Sequence, residues 1–190
     1  MTQLVFGFDI IEAHAMLSTC GTYRYELYRR WNSDPEAVFI MLNPSTADAC
    51  QNDPTIRKCM GFARRWRRGA IYVLNLFAAR ATDPRRLADF ADPVGPSNRG
   101  WVAERLDKHT SYRSSELHTV VVAWGAANKH PDIVAHGQHI ASLAEQLRPR
   151  LQLQCLSRSQ DGSPRHPLML PYSTALDRRR IRTLTSCTNQ

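Results

Sequence analysis

Five apolar residues in unbroken succession, Val38-Phe39-Ile40-Met41-Leu42, run straight into Asn43-Pro44, and no other feature constrains this chain as much. A strand with one wet face alternates polar and apolar side chains. A continuous apolar run must be covered on both faces, as in a parallel sheet lined by helices. Pro44 cannot donate to a ladder, so the strand stops there and leaves Asn43 at its carboxyl end. Ile71 to Leu74, closed by Asn75, and Thr119 to Trp124, closed by Gly125, read as further buried strands, and Leu151 to Leu156 as a fourth strand.

Helical patterns separate these runs. Asp53-Pro54 supplies a cap and a first-turn proline. Ile56, Cys59, Met60, Ala63 and Trp66 then recur at helical spacing, and Gly69 is the expected stop. Gly100 to Ser111, with Trp101, Leu106 and His109 inward, and Ile133 to Leu147 are the other expected helices, and Leu176 to Leu184 is a short basic helix or tail. Upstream, Ala15 to Trp31 alternates around Cys20-Gly21, with Tyr23, Tyr25 and Leu27 on one face and Arg24 and Glu26 on the other, which predicts a β-hairpin. The expectation is one α/β domain over residues 1–190: three αβα layers on a central, mainly parallel four-stranded sheet, with an N-terminal β-hairpin at one edge.

No apolar run approaches the roughly 20 residues of a membrane span. The N-terminus lacks the charged, apolar and small-residue regions of a signal peptide. The five cysteines, Cys20, Cys50, Cys59, Cys155 and Cys187, are scattered without a C-x-x-C pair, as expected of reduced thiols in a cytoplasmic protein. The net charge of +8 favours a polyanionic partner, DNA or a nucleotide. Oligomeric state is left open.

Ligands of open α/β sheets bind beyond the carboxyl ends of the strands. Asn43 there either fixes a water or polar ligand or satisfies its own turn. Asn75 interrupts an apolar run, either to read the amide-like edge of a base or to tie two loops together. Prolines on both sides of His166 hold its imidazole in place. Ser45 is a conceivable nucleophile, with no histidine near it in sequence. Asp48, Asp53, Asp83, Asp92 and Asp161 offer carboxylates for magnesium, but turn and cap chemistry is the reading preferred for them, Asp53-Pro54, Asp83-Pro84 and Asp92-Pro93 being ordinary turn or helix-start dipeptides. The histidines and cysteines form no closed zinc set, so no metal and no cofactor is expected. Arg57, Lys58, Arg64, Arg65, Arg67 and Arg68 make one helix face basic, for phosphates or for solvent. Neither a G-x-x-x-x-G-K-[ST] nor a G-x-G-x-x-G loop is present.

Together these motifs support a resemblance at two levels. C-G-T-Y-R-Y (20–25), M-L-N-P-S-T-A-D (41–48), D-P-T-I-R (53–57), N-L-F-A-A-R-A-T-D-P (75–84), D-P-V-G-P (92–96), A-W-G (123–125) and R-H-P-L (165–168) resemble a bacterial and phage family catalogued as a domain of unknown function, number 1643. More distantly, the order of four strand-end motifs is similar to the uracil-DNA glycosylase superfamily: Asn43-Pro44, Leu74-Asn75, Trp124-Gly125 and His166-Pro167. The resemblance implies that fold, and a hydrolase in which Asn43 positions water and His166 stabilises the departing base. Asn75 then reads the base, Ser45 lies in the substrate pocket, and Phe77 or Trp124 stacks on the base. Arg64, Arg65, Arg67 and Arg68 are the expected phosphate contacts. The chain departs from that pattern at Met41 and Ser45, where the superfamily has glycines, and at Leu168 to Pro171, which lacks its Ser-Pro element. An enzyme acting on a free nucleotide or modified base, and a nucleic-acid-binding module without catalysis, stay open as alternatives.

Overall fold

A computed structural model describes residues 10–109, 119–126, 132–147 and 153–177. The elements in order are β1 (Glu12–Leu17), β2 (Arg24–Arg30), β3 (Glu36–Met41), α1 (Pro54–Arg65), β4 (Ala70–Asn75), a 3-10 turn (Pro84–Asp89), α2 (Asn98–His109), β5 (Thr119–Val122), α3 (Ile133–Leu147), β6 (Leu153–Gln154) and a second 3-10 turn (Pro167–Met169). All six strands join one mixed sheet in the order β1-β2-β4-β3-β5-β6. β3 runs parallel to both β4 and β5, and β5 runs parallel to β6. The sheet therefore has six strands, not the expected four. The hairpin does not merely pack at its edge: β2 hydrogen-bonds antiparallel to β4, from Leu27 opposite Val73 to Arg30 opposite Ala70.

The unbroken apolar run of β3 is explained by what covers it. Val38 and Ile40 enter one apolar cluster with Val102 and Leu106 of α2 and Ile133, Ile140 and Ala144 of α3. Ala37, Phe39 and Met41 enter another with Ile56, Cys59, Met60, Phe62 and Ala63 of α1. Successive residues of a strand face opposite ways, so each face of β3 meets its own helices. Of the residues expected inward on α2, Leu106 is fully buried, whereas Trp101 is only half-buried, stacked on Tyr25 at 6.3 Å.

Asp53 caps α1 as its sequence implies, its Oδ1 accepting from Ile56 N at 2.8 Å, with Pro54 in the first turn. Gly69 is not the residue that ends this helix: α1 stops at Arg65, and Arg67 takes the left-handed turn at φ 56°. Gly69 instead lets the Asn32–Asp34 turn press against the backbone, and a Cβ there would lie 2.7 Å from Asp34 N. The expected basic tail from Arg178 to Arg182 lies outside the described residues.

In the β1–β2 turn, Gly21 sits at φ 72° and the exposed Cys20 Sγ lies 3.3 Å from Ser18 Oγ. Hydrogen bonds from Ser18, then Thr22, pull this thiol down to about 7 from its ordinary value of 9.0. The thiolate is the nucleophile. Iodoacetamide labelling of Cys20, followed by peptide mapping, is therefore expected to rise through a midpoint near pH 7, and Ser18→Ala should move that midpoint upward. A midpoint at an ordinary thiol value in the parent protein refutes the Ser18 contact.

Candidate functional site

Topology puts the carboxyl ends of β4, β3, β5 and β6 in a row, with the amino end of the antiparallel β2 beside β4. Five segments thus converge on one edge: the start of β2, the residues after β3, the end of β4, Trp124-Gly125 after β5, and the loop 157–166 after β6.

Asn75 is the last residue of β4, in register with Met41 of β3. Alternation places it on the face of Ile71 and Val73, toward α1. It is 1% exposed, and its Nδ2 has no hydrogen-bond acceptor among the described residues. Pairing continues past the strand ends, with Leu76 N donating to Met41 O and Phe77 N to Leu42 O, each at 2.9 Å. That brings Asn43 to the same edge, one strand over. Its Nδ2 donates to Ala81 O at 2.7 Å and Pro44 O at 3.0 Å, while its Oδ1 has no partner among the described residues. Asn43 is thus a loop clip that keeps one acceptor available. Ser45, half-buried in the next bend, makes no hydrogen bond to a histidine among the described residues.

His166 reaches this edge by a different route. Ser159 N donates to Ser163 O, Gly162 turns at φ 79°, and Arg165 N donates to Ser157 O, folding 157–165 into a tight loop. Gly125 N donates to Pro164 O at 2.8 Å, which anchors that loop at the end of β5. β5 lies two strands from β4, about 10 Å across the edge. His166 Nδ1 accepts from Leu168 N at 3.3 Å, so the neutral ring carries its proton on Nε2.

Other residues expected at the site are elsewhere. Phe77, fully buried, packs edge-on to His136 of α3 with ring centroids 4.9 Å apart. Trp124 is 1% exposed in the same α2/α3 cluster, where its ring lies so close to Gly137 that a Cβ there would be 2.8 Å from it. Both rings are core on the face away from Asn75, so neither offers a base a free surface to stack on, although the indole Nε1 is buried without an acceptor. Arg64 and Arg65 are in the last turn of α1, and Arg67 and Arg68 follow it. The helix runs back from the carboxyl end of β3, so these arginines sit at the amino edge, where Gly69 pairs with Trp31 and Pro35. Arg64 stacks there over Trp31 at 5.5 Å. They are a strand's length, about 20 Å, from Asn43 and Asn75. All five singled-out aspartates perform turn or cap chemistry: Asp48 accepts from Cys50 and Gln51, Asp53 from Ile56, Asp83 from Arg85, Asp92 from Gly95 and Asp161 from Ser163. Among the described residues no group of three or more His, Cys, Asp or Glu side chains is placed to hold a metal ion.

Arginines missed by the sequence reasoning stand in their place. The β1–β2 register skips Tyr25: Met16 faces Glu26 and Leu17 faces Arg24. Such a bulge turns one side chain to the other face. Tyr25 and Glu26 both face α2, Tyr25 on Trp101 and Glu26 on Arg105 at 2.7 Å. Arg24, expected beside Glu26, turns instead to the α1 side. It is 2% exposed and donates to Ala47 O at 2.6 Å; its Nε has no acceptor. Burial, the main cause, brings its guanidinium down to about 10, with Arg80 and Arg29 adding to the effect and Asp53 and Asp48 opposing it, so it stays charged at neutral pH. Arg29, 1% exposed, donates to Asn52 Oδ1 at 2.8 Å and to the carbonyls of Asp48, Gln51, His14 and Tyr28. Arg80 donates to Gly21 O at 3.2 Å, and its buried Nε also lacks an acceptor. Asn98, at the start of α2, secures the end of β4 by donating to Asn75 O and Leu76 O.

Comparison with known proteins identifies one family model, described as a protein of unknown function (DUF1643), which matches residues 24–168. No curated protein matches the chain, and no solved structure does. The matched span runs from the re-aimed Arg24 through the loop that carries His166.

Proposed function

We propose that this chain, which belongs to the DUF1643 family, is a glycosylase-like hydrolase that reads a nucleobase at the carboxyl edge of its sheet and cleaves that base from its sugar. The observation that carries the reading is the Asn75 amide, 1% exposed with a donor that meets no acceptor among the described residues. Leaving a buried donor unpaired costs about 1–3 kcal/mol. The carbonyl edge of a base supplies the missing acceptor.

Two neighbours suit the bond cleavage. Asn43 Oδ1 accepts from a water and aims it at the anomeric carbon. As the water oxygen bonds to that carbon, the electron pair of the carbon–nitrogen bond leaves with the base. The Nε2–H of His166 stabilises the anion, and the water's proton passes to solvent or to the released base. The order of the strand-end motifs and the helices on both faces of β3 support the likeness to the uracil-DNA glycosylase superfamily. That likeness is an analogy of fold, and function is argued from the site. Cys20, Cys50, Cys59 and Cys155 form no disulfide with one another, which suits a reducing, cytoplasmic setting. Among the described residues no helix is long and apolar enough to cross a membrane.

A second reading, an enzyme on a free nucleotide, is favoured by the position of the charges. Arg24 and Arg80 lie at the edge that holds Asn75, whereas Arg64 to Arg68 lie at the opposite one. A DNA strand held by Arg64, Arg65, Arg67 and Arg68 has to pass round the molecule to present its base.

The test is release of free base from oligonucleotides carrying uracil, mismatched thymine or a damaged base. Release supports the hydrolase. If none is released while mononucleotides raise the thermal midpoint, the free-nucleotide reading replaces it. DNA binding without release leaves a binding module. Changing Arg64, Arg65, Arg67 and Arg68 to Gln is expected to weaken DNA binding for every sequence and to flatten its salt dependence. Unchanged affinity in that variant assigns this face to solvent.

A further inference from the structure

The distribution of unmet hydrogen-bonding groups at the carboxyl edge is one-sided. Arg24 Nε, Arg80 Nε and Asn75 Nδ2 are all buried donors without acceptors among the described residues. Neither Arg24 nor Arg80 has a carboxylate within ion-pair distance among the described residues. Asp48 and Asp53, whose charges act on Arg24, are held by backbone N–H groups. Burying a guanidinium without a contact ion pair is costly, and Asp48 and Asp53 act on Arg24 only at longer range, so this arginine, 2% exposed, suits a contact acceptor with negative charge.

The backbone around these side chains is tightly joined. Arg24 N donates to Ala78 O and Arg80 N to Thr22 O, which fixes the two arginine-bearing segments side by side. Ala81 N donates to Pro44 O, and Asn43 Nδ2 returns a bond to Ala81 O. Arg24 itself reaches Ala47 O across the same loop. Three segments, 22–24, 43–47 and 78–81, therefore hold Arg24 and Arg80 against the loop that carries Asn43. The bulge at Tyr25 matters here, because without it Arg24 points to α2.

We infer that Arg24 and Arg80 form a phosphate subsite beside Asn43 and Asn75, which takes the phosphate of the nucleotide whose base the edge reads. The phosphate oxygens satisfy the Nε donors of both arginines and supply at contact the negative charge that Asp48 and Asp53 give only at longer range. This rests on the base-reading proposal for the ligand's identity, but not for the anion itself. The phosphate belongs to a free nucleotide or to a DNA strand; the recognising chemistry is shared.

The experiment follows the thermal midpoint of the full chain in inorganic phosphate against chloride of equal ionic strength. Phosphate at ten times its dissociation constant is expected to raise the midpoint by about 3–6 °C. Arg80→Gln should abolish that rise while leaving the midpoint in chloride nearly unchanged, since Arg80 gives up one bond to Gly21 O. Arg24→Lys should weaken phosphate at least tenfold, because an ammonium lacks the guanidinium fork. A mononucleotide that displaces phosphate identifies the free-nucleotide source, and a short oligonucleotide that does so identifies DNA. No rise beyond the chloride control, an equal rise in Arg80→Gln, or phosphate displaced by neither compound overturns the subsite. Base release without a phosphate response retains the hydrolase and removes the subsite; the opposite pair of results does the reverse.

Discussion

Replacing Arg29 with methionine is expected to destabilise the fold by about 3 kcal/mol, among the largest effects of any single change at this edge. Methionine fills much of the space of the arginine stem and removes the cost of burying a charge, so the swap isolates the hydrogen bonds. Those bonds go to acceptors that stay behind: Asn52 Oδ1 at 2.8 Å, Tyr28 O at 2.7 Å, and the carbonyls of Asp48, Gln51 and His14. Exchanging both partners of a buried polar pair is often neutral, but removing one strands the other. The carbonyls of Asp48 and Gln51 belong to the loop between β3 and α1, and water replaces part of what they lose, which keeps the expected cost well below the sum of five bonds. Urea denaturation measures it as a lower midpoint with an unchanged slope. A loss under about 1 kcal/mol means the loop holds itself and Arg29 is a passenger.

What the sequence made legible, and what it hid, follows from this same region. Continuous apolar runs announce buried strands, so β3, β4 and β5 were found close to their observed places, and the pattern of α3 gave its limits. Asn43 and Asn75 stood out because an amide directly after an apolar run has few ways to be satisfied. Arg24 and Arg29 did not, because an arginine on an alternating strand is ordinarily a wet-face residue. Nothing local reveals that the face opposite Tyr28 is covered by the loop from β3. The bulge is hidden for a related reason: strict alternation assigned Arg24 to the side of Glu26, and one unpaired Tyr25 reverses it. Arg64, Arg65, Arg67 and Arg68 were legible as a cluster, but their place depends on the direction of α1. A helix leaving the carboxyl end of one parallel strand must run back to the amino end of the next, and it carries its last residues away from the site. Phe77 and Trp124 lie on strand ends in sequence, yet their rings pack toward α3, which only the tertiary fold decides.

Asn43→Ala is expected to slow base release by about a hundredfold or more while leaving affinity for the uncleaved oligonucleotide nearly intact, since the water it orients matters chiefly in the transition state. The geometry makes this a demanding test, because Asn43 also clips Pro44 O and Ala81 O. Losing that clip costs stability of about 1 kcal/mol and loosens the loop whether or not the residue takes part in chemistry. The two roles separate in the kinetics. A clip acts on binding and rate together, so affinity and turnover fall in parallel. A water-positioning amide lowers turnover alone, in single-turnover assays with all substrate bound. Asn75→Asp provides the complementary measurement. It replaces the donor that faces no acceptor among the described residues with a carboxylate, which accepts. Bases with a carbonyl at the read position should be released more slowly, and bases with an amino group there should gain relative to them. If Asn43→Ala lowers stability, affinity and rate in proportion and Asn75→Asp changes no preference among bases, then both amides are ties between loops and the chemistry lies elsewhere on the edge.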